Sequence, residues 1–416
     1  MKYLKRVVED EVQESLAFAG AVLIEGPRGV GKTSTGTLLS KSTVRLDVDT
    51  PALDLARVAP ELVLRGDVPR LIDEWQLADG IWNQVRHQVD QRGKPGQFIL
   101  TGSASRQALG DRHPGTGRIA RVTMRPMSLW EQGLSNGQVS LQSLLRGQEV
   151  QGIYDFNIDV AIQAICRGGF PAAVDLGFPS AQKLMKAYLD DVVNIDFSNL
   201  TGQKRNSRRL HNLIRGLARN VGSEISTAKL ANEVGSTEGL PIKPETLEGY
   251  LEVLRQMFLV DDLRPWAPQL RSSYVVRKAW KRYLVDPSLA AAALGADPAS
   301  LLGDLETTGF LFENMAVRDL RVYAQAMGCE VSHYRDSGGL EVDAIVEKTD
   351  GTWGAFEVKL SPTSVEKAAV TLKKLEQQLD YTKSKKPSFL AVLTTGTYSY
   401  VRPDGVAVVN IGTLGP

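Results

Sequence analysis

Residues 20–25, Gly-Ala-Val-Leu-Ile-Glu, form a short apolar run that enters a glycine-rich turn, and residues 32–41 then continue without proline. This pattern predicts strand, loop and helix. Further apolar runs at 43–46, 69–72 and 97–100 predict strands, spaced by helix-length stretches such as 75–91. Such alternation predicts a parallel sheet covered by helices, an α/β domain over residues 1–150. From about 155 to 220 the apolar spacing, through 160–165 and 184–193, predicts helices. The last segment, 286–416, opens on an alanine-rich stretch (289–294). It then predicts a helix over 310–326, strands at 330–335, 341–347 and 353–359, a helix over 364–379 and a strand at 388–393. Helix, three strands, helix, strand describes a second, smaller α/β domain.

Between these lie residues 223–285, which predict a helix (226–234), a turn (235–241), a longer helix (244–259) and paired strands near 260–285. That is the order of a winged-helix module, leaving 151–222 as a helical, lid-like region. A chain of 416 residues exceeds one ordinary core, in keeping with several domains. The 43% apolar and 23% charged residues argue against extensive disorder. Lys and Arg (49) balance Asp and Glu (48), so no global field draws the chain to nucleic acid or membrane. Cys166 and Cys329 are too far apart for a zinc spacing or a disulfide framework, and no long apolar run predicts a membrane span. The expectation is a protein of the reducing cytoplasm.

The string Gly26-Pro27-Arg28-Gly29-Val30-Gly31-Lys32-Thr33, continued by Ser34, carries the most demanding chemistry. Its glycines let consecutive N–H groups wrap phosphates, Lys32 neutralises charge and Thr33 offers an oxygen to Mg²⁺. The following helix adds its positive N-terminal end. Asp73-Glu74 closes the apolar run Arg70-Leu-Ile, placing Asp73 to hold the Mg²⁺ shell and Glu74 to orient a water. Without the glycine loop these would read as acids ending a strand. Thr101 or Ser103, at the end of the next run, is a candidate contact for the γ-phosphate; an ordinary helix cap explains the hydroxyls equally well. Arg112, Arg118, Arg121 and Arg125 cluster just after, and one of them, with Arg118 the named candidate, is expected at the phosphate while most are solvated; which one acts is left open. ATP and Mg²⁺ are the expected cofactors.

Together the glycine loop, Asp73-Glu-Trp-Gln76, Leu100-Thr-Gly-Ser103, Met124-Arg-Pro-Met-Ser-Leu-Trp-Glu131 and Arg167-Gly-Gly-Phe-Pro171 resemble the AAA-type ATPases of bacteria and archaea that carry a C-terminal domain of unassigned function. The likeness continues through Gly222 to Ser226, Pro265-Trp266, Asp286 and Phe310-Leu-Phe-Glu313. It implies an ATPase core, a winged-helix linker and a nuclease-like C-terminal fold.

Near the end, Glu341-Val-Asp343 precedes Glu357-Val-Lys359, similar to the PD-(D/E)xK nuclease superfamily. Period-two alternation puts Glu357 and Lys359 on one face, Asp343 and Glu357 can bind Mg²⁺ through oxygen, and Lys359 can polarise a phosphate. Glu313 is a candidate further ligand. An ion pair between these carboxylates and Lys359 would equally explain the residues. The second helix of 223–285 carries Glu245, Glu248 and Glu252, which would repel DNA, so the winged-helix segment reads as scaffold. Basic residues at 204–205, 208–209, 215–219, 271, 277–278 and 281–282 would form a nucleic-acid patch if the fold gathers them. Two functions remain: an ATPase coupled to a domain that cleaves nucleic acid, or a nucleotide-dependent switch whose C-terminal domain binds protein or nucleic acid without cutting. Transfer of a phosphoryl or nucleotidyl group from ATP is a third. Assembly into oligomers is left open.

Overall fold

The computed structural model describes residues 3–102, 115–196, 207–267, 279–382 and 384–416. They fall into two compact units, Met1–Arg125 with Gln256–Phe258, and Pro126–Arg255 with Leu259–Pro416.

In the first unit β1 (Ala21–Glu25), β2 (Ser42–Arg45), β3 (Arg70–Asp73), β4 (Phe98–Thr101) and β5 (Ile119–Thr123) form one parallel sheet in the order β2-β3-β4-β1-β5. All five positions of β1 and all four of β4 are buried, as expected of central strands covered on both faces. Leu23, Ile72, Phe98 and Leu100 pack with Trp75 and Trp82, whose rings lie 5.1 Å apart. The helix Lys32–Leu39 packs closely on the sheet because Gly36 has no side chain: a Cβ there would lie 2.9 Å from Leu71. The stretch expected to be one helix from 75 divides into a short turn, Trp75–Leu77, and the helix Gly80–Arg92. Helix Val8–Phe18 and strand β5 have too little apolar periodicity of their own to be read in advance.

The second unit is built on a seven-stranded sheet of β7 (Gly152–Phe156), β8 (Cys329–Arg335), β9 (Glu341–Lys348), β10 (Trp353–Lys359), β11 (Phe389–Thr394), β12 (Gly396–Val401) and β13 (Ala407–Asn410). The spatial order is β7-β12-β13-β11-β10-β9-β8. The three strands β8 to β10 run antiparallel, and the helix Val365–Gln378 carries the chain across to β11, parallel to β10. Trp353, Val365, Leu372, Val392 and Val408 fill the space beneath that helix.

Residues 126–156, divided in the sequence reading between the first domain and the helical region, belong to this second unit. There β6 (Val139–Ser140) pairs with β14 (Leu414–Gly415), and β7 pairs with β12. These partners lie 240 or more residues away, so no local pattern announces them. The helices Ile158–Arg167, Ser180–Asp191 and Ser207–Arg219 gather around the alanine-rich helix Pro287–Leu294, whose small side chains permit close approach. After the helices Thr227–Glu238 and Pro244–Gln256, Val260 and Leu263 pair antiparallel with Leu284 and Lys281, and Ser223 with Arg282. Among the described residues no helix is long and apolar enough to cross a membrane.

Candidate functional site

Where β1 ends, Gly26 turns with φ of +150°, and a Cβ there would lie 2.2 Å from the Met124 carbonyl oxygen. Gly29 and Gly31 also take positive φ, and Gly31 heads the helix Lys32–Leu39. Conformations of this kind turn successive N–H groups to one side and make an anion-binding concavity. Pro27 and Val30 are buried, while Arg28, Gly29 and Ser34 face outward. Lys32 is buried and folds back over the loop, donating to the carbonyl oxygens of Gly26 (2.9 Å) and Pro27 (2.8 Å). Burial lowers it to about 8, against the opposing pull of Glu74 and Asp73. An ammonium resting on backbone carbonyls can be drawn away by a stronger anion.

Asp73, at the carboxyl end of β3, is buried, and its Oδ1 accepts from Thr33 Oγ1 (2.9 Å) and Thr101 Oγ1 (2.6 Å). Arg45 Nε lies 3.6 Å from the other oxygen. Strand β4 separates β3 from β1, and Thr101 at its end closes that gap with its hydrogen bond to Asp73. Hydroxyl and carboxylate oxygen side by side suit Mg²⁺, a hard cation that takes oxygen ligands and keeps several waters. Glu74 is half-buried in the left-handed region (φ 54°, ψ 43°), a conformation costly for a residue with a Cβ and found most at functional sites. Its carboxylate accepts from Gln76 Nε2.

Glycine loop, Asp73 and Glu74 are thus brought together, and Arg118 is not. Its carbonyl accepts from Ala21 N–H at the start of β1, the strand's full length from Gly26, roughly 16 Å at about 3.3 Å per residue. Its side chain pairs with Asp90 on the sheet's other end (2.6 Å). Arg121 pairs with Glu25 (3.1 Å) and lies over Trp82. Ser103 and Arg112 lie outside the described residues. Two residues absent from the sequence reading brace the loop. Arg6 donates to the carbonyls of Val30 and Arg125, both at 2.7 Å, and Tyr3 is 3.0 Å from Thr35 Oγ1. Nothing in the local sequence marks them.

In the second unit several motif strings turn out to hold the fold. Gly169 N–H donates to Asp286 (2.9 Å), Leu129 N–H to Asp319 (3.0 Å), and Met127 N–H to the Gly169 carbonyl (2.7 Å). Arg318, wholly buried, bridges Asp286 and Asp319 at 2.8 and 2.7 Å.

The C-terminal carboxylates also converge. Asp343 on β9 and Glu357 and Lys359 on β10 share one face, with Lys359 Nζ 2.6 Å from Glu357 and 3.2 Å from Asp343. Asp343 Oδ2 further accepts from Val358 N–H (2.9 Å). Lys281, expected in a surface basic patch, is buried here instead. Its Nζ lies 2.8 Å from Glu341, 3.1 Å from Glu313 and 3.3 Å from Asp343. Tyr283 donates to Glu313 at 2.5 Å. Burial works against charge on Lys281, but Tyr283, Glu313, Asp343 and Glu341 outweigh it and hold the ammonium well up. Burial, then Asp343, pushes Glu357 up to about 8. Among the described residues no group of three or more His, Cys, Asp or Glu is arranged to hold a metal ion. Of the other basic residues, Arg209 pairs with Glu238, Arg219 with Glu233, and Arg282 donates to Ile225 O and Thr227.

Residues 19–132 match the family described as "AAA domain". Residues 159–300 and 308–414 match two domains of unknown function, DUF8612 and DUF4143. The first unit therefore carries an AAA-type domain on a parallel sheet. The chain is 25% identical over 364 residues to the uncharacterized proteins Rv2008c of Mycobacterium tuberculosis and Mb2031c of Mycobacterium bovis, covering 86% of this chain and 74% of each relative. Among solved structures, AMPPCP-bound DnaA from Aquifex aeolicus is similar at 12% identity and a TM-score of 0.29, covering 59% of this chain and 86% of that one. Cdc6p from Pyrobaculum aerophilum is similar at 14% and 0.24, covering 76% and 97%. Likenesses this loose establish nothing about function.

Proposed function

We propose that the protein binds ATP with Mg²⁺ on the Gly26–Thr33 loop and hydrolyses it. The observation that carries this is the seating of Lys32 on two loop carbonyls beside an Asp73 that already holds Thr33 Oγ1. A polyphosphate entering the loop offers Lys32 a far better partner than a carbonyl. Gly26, Gly29 and Gly31 leave the amides open to it, and Pro27, Arg28, Val30 and Ser34 shape the loop's walls. Thr33 and Asp73 would hold Mg²⁺, which neutralises phosphate charge when bound. Glu74, held by Gln76, orients the attacking water and receives its proton. Ser103 remains a proposed γ-phosphate contact. Arg118, on the sheet's far end, is set aside. The setting is a reducing cytoplasm, where the buried, free Cys166 and Cys329 remain thiols.

The C-terminal domain allows two readings. Asp343, Glu357 and Lys359, on strands in the order expected of a nuclease-like fold, favour metal-assisted cleavage of nucleic acid. The ion pairs that already occupy those carboxylates favour a switch whose C-terminal domain engages protein or nucleic acid without cutting it, and this is the reading we adopt. The test of the ATPase is γ-labelled ATP with Mg²⁺ and the full chain: free phosphate is expected. Label appearing on the protein or on added nucleic acid would mark a transferase instead.

A further inference from the structure

We infer that Lys281 is the resident cation of the C-terminal carboxylate cluster, filling the position a divalent metal would take and closing the cluster to metals. A divalent ion bound by such a cluster needs several carboxylate oxygens free to converge on it. Here both oxygens of Asp343 and one of each of the other carboxylates are already taken. The Lys281 ammonium, 1% exposed, takes one oxygen from each of Glu313, Glu341 and Asp343, on two elements: the helix Leu305–Ala326, and two points of β9 on the same face. Lys359 and the Val358 N–H take the other oxygen of Asp343, and Lys359 also takes Glu357.

The seat of Lys281 is built rather than incidental. Its backbone pairs with Leu263 in both directions, N–H to carbonyl at 3.0 Å and carbonyl from N–H at 2.8 Å. Asn314, next to Glu313, donates to the Leu284 carbonyl (2.8 Å) and so ties the strand carrying Lys281 to the helix carrying Glu313. Tyr283, two residues on and therefore on the same side of that strand, donates to the same Glu313 oxygen that Lys281 contacts. Gly222 approaches the same carboxylate, where a Cβ would lie 3.3 Å from Glu313 Oε1. Four segments thus converge to fix an ammonium against three carboxylates, and a hydrated divalent ion cannot share that space. Isolated buried carboxylates are too costly to leave unpaired, so the lysine supplies what a metal supplies elsewhere.

This inference deepens the non-cutting reading of the C-terminal domain and is independent of the ATP site. The full chain, free of nucleotide, is titrated with Mn²⁺ while free Mn²⁺ is followed by electron paramagnetic resonance. Wild type is expected to take up no Mn²⁺ that Asp343→Asn removes. Lys281→Ala is expected to gain one equivalent, bound at least about tenfold more tightly than by wild type, and to lose it again when Asp343→Asn is added. Because Lys281→Ala leaves three carboxylates facing one another, Lys281→Ala/Glu341→Gln, which removes a negative charge along with the ammonium, is measured beside it. Gain in either folded variant supports the inference. It is overturned if wild type binds an equivalent that Asp343→Asn abolishes, or if neither variant gains one while at least one of them folds. Both readouts leave Lys32 and Asp73 untouched, so ATP binding can succeed or fail separately.

Discussion

Lys32 and Lys281 are both buried ammonium groups, and they are held in opposite ways. Lys32 rests on two backbone carbonyls of its own loop, and burial lowers it to about 8. Lys281 lies among three carboxylates that hold it well up. A cation on carbonyls is under-satisfied and waits for an anion; a cation among carboxylates is already answered. The first arrangement is that of a binding site and the second that of an interior, although the sequence offers Lys32 for phosphate and Lys281 for a surface patch. What distinguishes them is where the counter-charge comes from, outside the chain or inside it.

The largest effect expected from breaking the first site lies at Glu74. Glu74→Gln should reduce ATP turnover by about 10²-fold or more with ATP affinity retained, measured by phosphate release and calorimetry. Undiminished turnover would move the water-orienting role elsewhere. In the second unit the same logic of internal compensation predicts that Arg318→Ala, which strands Asp286 and Asp319 in the core, costs about 3–5 kcal/mol in urea denaturation. A loss under 1 kcal/mol would show that water reaches these carboxylates.

A smaller effect tests the character of Lys32 itself. A bound polyphosphate favours the charged form and raises the lysine from about 8. Below pH 8 the ammonium is already present, so affinity should be level. Above pH 8 binding must take up a proton, and affinity should fall by up to tenfold per unit. Calorimetry in two buffers of different ionisation enthalpy at pH 9 reads that uptake, and its absence would remove Lys32 from the phosphates. Smallest of all, Asp343→Ala and Lys359→Ala should leave ATP affinity unchanged and abolish no Mg²⁺-dependent nuclease activity, because the non-cutting reading expects none of wild type. Cleavage by wild type that disappears in these variants would restore the nuclease reading.

The two sites were legible to different depths. The glycine loop could be read because its geometry is local: eight consecutive residues set the φ angles, the amides and the helix that follows. Asp73 and Glu74 could be read because a strand's end fixes where they emerge. Arg118 misled because a sequence does not say which end of a strand an arginine occupies, and it precedes β5 rather than following it. Arg6 and Tyr3 were invisible because they brace the loop from more than 20 residues away. Glu357 and Lys359 could be placed on one face by alternation alone, whereas Asp343 joins them through the pairing of β9 with β10. Their partner Lys281, 62 residues before Asp343, looked like one more surface lysine, and only tertiary pairing with Leu263 and Glu313 brings it inside. The same limit hid β7 and β14, whose strand partners come from the opposite end of the unit.

The central claim is that the Gly26–Thr33 loop grips a nucleoside triphosphate through Lys32. The direct measurement is calorimetric titration of ATP with Mg²⁺ into wild type and Lys32→Ala, with thermal unfolding as the check on fold. The account predicts saturable, one-site binding by wild type and loss of detectable affinity in a variant that still unfolds cooperatively. Equal affinity in the two proteins, or no affinity in a folded wild type, would contradict it.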